Sequence, residues 1–240
     1  MEKLKNSQNL EILFEDDEIF VINKPPMRYS VMLKDNEEQL SLAKILLQDN
    51  PWLDSVSNKK EDAGLLQRLD FETSGCILGA KNSKVWQILF NKLKAREIHK
   101  TYLAVVEGNF KEKVHLETFL GSKGRHSQKV QVIRNPRQAR TLSASSDFIP
   151  YAYDEKENIS LVLAKVPTAR RHQIRAHLAY LGYPLLGDSL YGSGRMFSFD
   201  YNRKFFLHAL SLEFSHPFTN HKLQIEANIP QFLKKYILEI

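Results

Sequence analysis

Two segments carry side chains whose types and spacing suit chemistry. The first is QRLDFETSG, Gln67 to Gly75, which sets a carboxylate, Asp70, behind an arginine and an apolar residue, with two hydroxyls and a glycine close after it. Thr73, Ser74 and Gly75 favour turns, so Asp70 is expected at a strand end or in a loop. Taken alone, it reads first as a turn cap bonded to nearby amides. The second is PTARRHQIRAHL, Pro167 to Leu178. On a helix, Arg171 and Arg175 would share a face, which a basic surface helix would explain equally well. His172 and His177 would diverge on that helix, so a zinc pair is not expected. HKTYLAVVEG puts Tyr102 in a strand, either as a core aromatic or as a ring that stacks on an extracted base and moves a proton. GYPLLGDSLYG has three glycines but not the spacing of a phosphate-binding loop. Thr73–Gly75 is not a nucleophile elbow, since the leading glycine is missing.

The elements that must position these groups follow from periodicity. Ile19–Ile22 is a short apolar run before Lys-Pro-Pro and reads as a buried strand ending at Asn23. Asn36 and Gln39 look like a capping pair, with Leu40, Ala43 and Leu47 at helical spacing behind them. Residues 50–64 read as a loop. Ser83 is placed to cap a second helix with Val85, Trp86, Leu89 and Leu93 on one face. Thr101–Val106 and Ile159–Val166 read as strands, stopped by Gly108 and Pro167. Several short strands are expected between Val114 and Phe148. Arg170–Leu181 reads as a helix ended by Gly182 and Pro184. Phe205–Phe214 and Lys222–Ala227 form a hairpin, and Gln231–Ile240 a closing helix. The expected class is α+β, with a mixed, largely antiparallel central sheet flanked by helices.

Composition narrows the setting. The chain has 240 residues, 42% of them hydrophobic and 26% charged, which suits a single domain over 1–240 with residues 1–10 as a flexible start. One cysteine excludes an intramolecular disulfide framework. No apolar run approaches the roughly 18 residues of a membrane span, and the N-terminus lacks a signal-peptide core. A cytoplasmic protein without membrane contact is expected. The net charge of +6 hides an asymmetry: −6 over residues 1–80, +10 over 81–140 and +2 over 141–240. A stretch of +10 suits a polyanion such as a phosphate backbone, and Arg125, Arg134, Arg137 and Arg140 are fitted to grip it.

Together, QRLDFETSG, HKTYLAVVEG, PTARRHQIRAHLAYLGYPLLGDSLYG and LHALSLEFSHPF, preceded by EDDEIFVINKPP, resemble the RluA family of pseudouridine synthases, which act on ribosomal and transfer RNA. The resemblance runs from Leu13 to Phe218. It implies the pseudouridine synthase catalytic fold and a structured RNA, ribosomal or transfer, as partner. It implies no cofactor and no metal, because uracil is detached, turned and rejoined to the same ribose through carbon 5. By similarity, Asp70 is the catalytic aspartate, acting either as a nucleophile or as a base on the sugar. A carboxylate in a pocket that excludes water needs a cation to stay ionised, and Arg175 resembles the arginine that supplies it. Tyr102 resembles the tyrosine that stacks on the uracil and helps remove its proton. Arg68 resembles the residue that enters the RNA stack as the base leaves, Ile174 is expected to line the pocket, and Lys24 with Pro25 is expected in a supporting, substrate-binding position. Gln67 stands where many members have histidine, Met27 where they have glycine and Ala169 where glycine is common. The alanine implies a backbone without positive φ at that point. Because only about ten residues precede the first motif, the small RNA-binding domain found in front of many relatives is expected to be missing, and recognition to rest in the catalytic domain, working as a monomer.

Overall fold

The computed structural model describes residues 3–6, 9–31, 40–122, 124, 127–133, 141–192, 194 and 205–231. In chain order its strands are β1 (Glu11–Glu15), β2 (Ile19–Lys24), β3 (Ser74–Ala80), β4 (His99–Glu107), β5 (Val114–Gly121), β6 (Gln131–Ile133), β7 (Thr141–Asp154), β8 (Ile159–Lys165), β9 (Leu207–Ser215) and β10 (Lys222–Glu226). Three helices accompany them among the described residues: α1 (Leu42–Asp49), α2 (Ser83–Lys94) and α3 (Gln173–Tyr180). This is the expected α+β class, and every strand register described is antiparallel. No helix among these residues is long and apolar enough to cross a membrane.

The chain divides into two compact units, Met1–His99 with Ala209–Asn228, and Lys100–His208 with Ile229–Ile240. In the first, β2 lies between β1 and β3, and β3 borders β9, which turns back into β10. All seven residues of β3 are buried. Its two glycines are there for space: a Cβ on Gly75 would stand 2.2 Å from the Ala209 carbonyl oxygen, and one on Gly79 would strike the Phe20 ring at 2.1 Å. Cys76 between them is buried, and desolvation pushes its thiol up to about 12. In the second unit, β4, β8, β7, β5 and β6 follow in that spatial order. The several strands expected between Val114 and Phe148 are β5, β6 and the first part of β7, which runs on as one long strand to Asp154. Pro150, which has no amide hydrogen, coincides with a register shift before Ala152, so the strand bends there without ending.

Several boundaries move. Helix α1 is capped by Ser41, whose hydroxyl accepts from the Lys44 amide at 3.1 Å, so Leu40 lies outside the helix. Asn36 and Gln39 lie outside the described residues. Helix α2 is capped by Asn82 rather than Ser83, through the Val85 amide at 2.9 Å. Residues 50–64 contain two 3-10 turns, Pro51–Ser55 and Lys60–Asp62. Helix α3 begins at Gln173, because His172 before it takes a left-handed φ of 54°. Arg170 and Arg171 are therefore not helical, and Arg171 and Arg175 do not share a helix face. Ala169 has no positive φ, as its side chain requires. Arg125, Arg134, Arg137 and Arg140, and the expected closing helix beyond Gln231, lie outside the described residues.

Candidate active site

In the first unit, Asp70 sits in a turn just before β3, where its carbonyl accepts from the Thr73 amide at 3.1 Å. The backbone on both sides of it is gripped by the segment that follows β2. The Ser30 hydroxyl accepts from Leu69 N and donates to Leu69 O, each at 2.9 Å. The Arg28 amide donates to Phe71 O at 3.1 Å, and the Tyr29 and Phe71 rings meet at 4.5 Å. Lys24 completes the clamp. It is fully buried, and its ammonium donates to Pro25 O (2.9 Å), Arg28 O (2.6 Å) and Phe71 O (3.3 Å). Three carbonyl dipoles compensate a buried cation, so Lys24 ties the Lys-Pro-Pro turn to the Asp70 turn. That turn passes through Met27 at φ 57°, the left-handed region in which glycine is at ease. Arg68 is half exposed and pairs with Asp62 at 2.8 Å. Gln67 lies next to it, its amide nitrogen 3.5 Å from Cys76 O.

In the second unit, Tyr102 lies on β4 opposite Ala164 of β8 and packs, half-buried, on a cluster that includes Val162, Phe148 and Ile174. Ile174, expected in a pocket wall, is itself buried in that cluster. Arg175 leaves helix α3 and forms a two-pronged pair with Asp188, Nε to Oδ2 at 2.7 Å and Nη2 to Oδ1 at 3.0 Å. Both side chains are buried. The guanidinium also lies 4.3 Å from the Phe205 ring centre and 5.1 Å from that of Tyr191, so cation–π contacts add to the ion pair. Asp188 accepts from the Leu190 and Tyr191 amides as well, which shapes its turn. The Tyr191 hydroxyl accepts from Val130 N at 2.8 Å and meets His172 Nδ1 at 3.1 Å. Burial pushes that phenol up.

Helix α3 is anchored to the sheet by a chain of buried polar groups. Gln173 donates to Ser145 O and Ser146 Oγ, and accepts from Thr168 Oγ1 at 2.8 Å. His177 bridges Ser146 Oγ at 3.0 Å and Thr118 Oγ1 at 2.8 Å. Burial draws its pKa down to about 4, so the ring is neutral at pH 7. At the far end Lys100 donates to Thr168 O at 3.3 Å, and burial with the nearby Arg170 charge draws it down to about 8.

Sequence reasoning missed Asp188, Ser30 and the Gln173–His177 chain. Asp188 had a signal: it is the only acidic residue between 158 and 199, in a stretch holding Arg170, Arg171 and Arg175. Ser30 had none, since its partner is 39 positions away.

With these features in view, comparison with known proteins defines the class. Residues 18–180 match the family described as RNA pseudouridylate synthase. An uncharacterized RNA pseudouridine synthase of Helicobacter pylori is 32% identical over 96% of this chain and 70% of its own length. The uncharacterized RNA pseudouridine synthase YhcT of Bacillus subtilis is 34% identical over 94% and 70%. The ribosomal large subunit pseudouridine synthase D of Zymomonas mobilis is 27% identical over 92% and 70%. The solved structure of human RNA pseudouridylate synthase domain containing 1 shares the fold, with a TM-score of 0.71 and 24% identity over 98% of this chain and 89% of that one. The chain belongs to the RNA pseudouridine synthase family, and is an isomerase of that kind.

Proposed function

We propose that this enzyme converts uridine to pseudouridine in ribosomal or transfer RNA, with Asp70 as the catalytic aspartate and Tyr102 and Arg175 as its catalytic partners. The reaction conserves atoms: the bond from the sugar C1′ to N1 breaks, a bond to C5 forms, C5 loses its proton and N1 gains one. The observation that carries the assignment of Asp70 is the clamp on its backbone. Ser30, Arg28 and Lys24 hold the residues on either side of it, which limits the drift of a group that must meet one carbon atom. Arg68, half exposed beside it, is free of steric cover to enter the stack that an everted uridine leaves. Lys24 supports the substrate site through the turn it ties down, and Ile174 through the layer under Tyr102.

The ribosomal alternative draws support from relatives named as large-subunit synthases. The +10 stretch over residues 81–140 supplies the charge for RNA. We take both units to act as one catalytic domain, in a monomer, in the cytoplasm where these RNAs are found. The test is pseudouridine mapping of total RNA from a strain lacking the gene, complemented with wild type or Asp70→Asn. Wild type is expected to restore at least one pseudouridine and the variant none. No restored site, or equal restoration by the variant, overturns the reading.

A further inference from the structure

A half-open cavity of about 180 Å³ lies beside Arg68 in the first unit, and nothing in the chemistry of Asp70 calls for it. Sites for drug-sized ligands run from about 300 Å³ upward, so this one is of a size for a single planar ring. Its apolar wall includes Trp86 and Phe90, stacked on each other at 4.7 Å and 18°. The Trp86 indole N–H is already taken by Leu65 O at 3.2 Å, so the buried ring contributes only apolar lining. Gln67 and Lys59 line the same cavity, and the Arg68–Asp62 pair forms part of its boundary.

Gln67 carries an unmet demand. Its Oε1 is buried with no hydrogen-bond partner among the described residues, and its amide nitrogen has one long contact to Cys76 O at 3.5 Å. A small rotation of the amide would let it meet a ring that brings both a donor and an acceptor. The cations nearby suit a phosphodiester: Lys59 lines the cavity, and the Lys94 ammonium stands 4.2 Å from the Phe90 ring centre. Aromatic surface, an amide with spare hydrogen-bonding capacity and lysines together are what single-stranded nucleic acid sites are built from.

We propose that this cavity receives one unpaired base of the RNA strand, close to the nucleotide displaced by Arg68, with its ring packed against the Trp86 and Phe90 side chains that line it and its edge on the Gln67 amide. The proposal rests on the RNA-modifying reading above and adds a second point of contact with the strand. It also assigns a task to Gln67, whose amide offers a donor and an acceptor at once.

The test uses the full chain with Trp52→Phe, so that Trp86 alone reports. It is titrated with heptaadenylate, with an abasic ribose-phosphate heptamer of the same charge, and with AMP. Heptaadenylate is expected to quench Trp86 and to bind about tenfold tighter than the abasic heptamer, the scale of one stacked base. Phe90→Leu and Gln67→Met should each shrink that ratio severalfold, followed by anisotropy of labelled heptamers. Equal affinity for the two heptamers, no quenching, or AMP binding as tightly as heptaadenylate overturns the proposal. Pseudouridine mapping separates the two readings. A chain that forms pseudouridine without the heptamer contrast refutes the base site alone. One that shows the contrast without forming pseudouridine refutes the catalytic reading alone.

Discussion

The hydroxyl of Ser30 makes two hydrogen bonds to Leu69, one to its amide and one to its carbonyl, each at 2.9 Å. A strand pair would use a whole residue to satisfy these groups. Here one side chain does it, and the next residue, Asp70, is left with its backbone anchored from behind. The Tyr29–Phe71 contact anchors it from in front.

Ser30→Ala should therefore leave a buried N–H and a buried C=O unpaired, at a cost of about 2 kcal/mol in stability. Single-turnover pseudouridine formation should slow by about tenfold or more, since small misplacement of a reacting group is costly. RNA affinity should stay within about twofold of wild type on the same reasoning, and urea unfolding with filter binding checks both. A variant with unchanged turnover would show that the clamp does not position Asp70.

Asp188→Ala removes a two-pronged partner of the buried Arg175 guanidinium. Breaking such a pair from one side costs up to about 3–5 kcal/mol. Asp188→Asn keeps the shape and one acceptor oxygen, and should lose less. Urea midpoints of the two variants, read by tyrosine and tryptophan emission, are expected in the order wild type, Asn, Ala.

Met27→Gly should raise stability. A side chain in the left-handed region costs about 1–2 kcal/mol, and glycine gives back up to about 1 kcal/mol through the flexibility of the unfolded chain. Met27 is exposed, so little packing is lost. A net gain of up to about 1 kcal/mol is expected, visible as a higher urea midpoint with an unchanged slope.

His177 makes stability depend on acid. The unfolded ring takes up its proton near pH 6.5, and the folded one not until about 4. Between those values the unfolded chain holds more protons, so stability falls as pH is lowered through the window and is intact above it. The loss attributable to this ring is about 2 kcal/mol at pH 5. His177→Gln should flatten the difference between unfolding curves at pH 7 and pH 5, although it lowers stability at both.

The motif QRLDFETSG correctly suggested a turn at Asp70, because Thr, Ser and Gly mark turns by local chemistry. The strand after it was not legible. SGCILGA carries two glycines that weaken any strand signal, and their reason, the Ala209 carbonyl and the Phe20 ring, lies far away in the sequence. Arg171 and Arg175 stood at a helical spacing, yet the left-handed His172 lies between them and the helix starts only after it. The caps slipped by one residue at α2 because Asn82 and Ser83 both cap well, and only the path of the chain decides between them. The charge of Arg175 was legible, but its bond to Asp188 depends on how the three-glycine loop returns, which no local pattern encodes.

The bordering of β3 by β9 has a consequence for how the molecule is made. The first unit is interrupted: it begins at the N-terminus and is completed by residues 209–228. A ribosome releases the chain in order, at about 5–20 residues per second. Throughout translation of the intervening hundred or so residues, β3 waits with one rim unmated, and a bare rim on an apolar strand invites pairing with a neighbouring chain. Premature termination in that interval should yield insoluble product, so the late-arriving hairpin serves as a seal against self-association at birth.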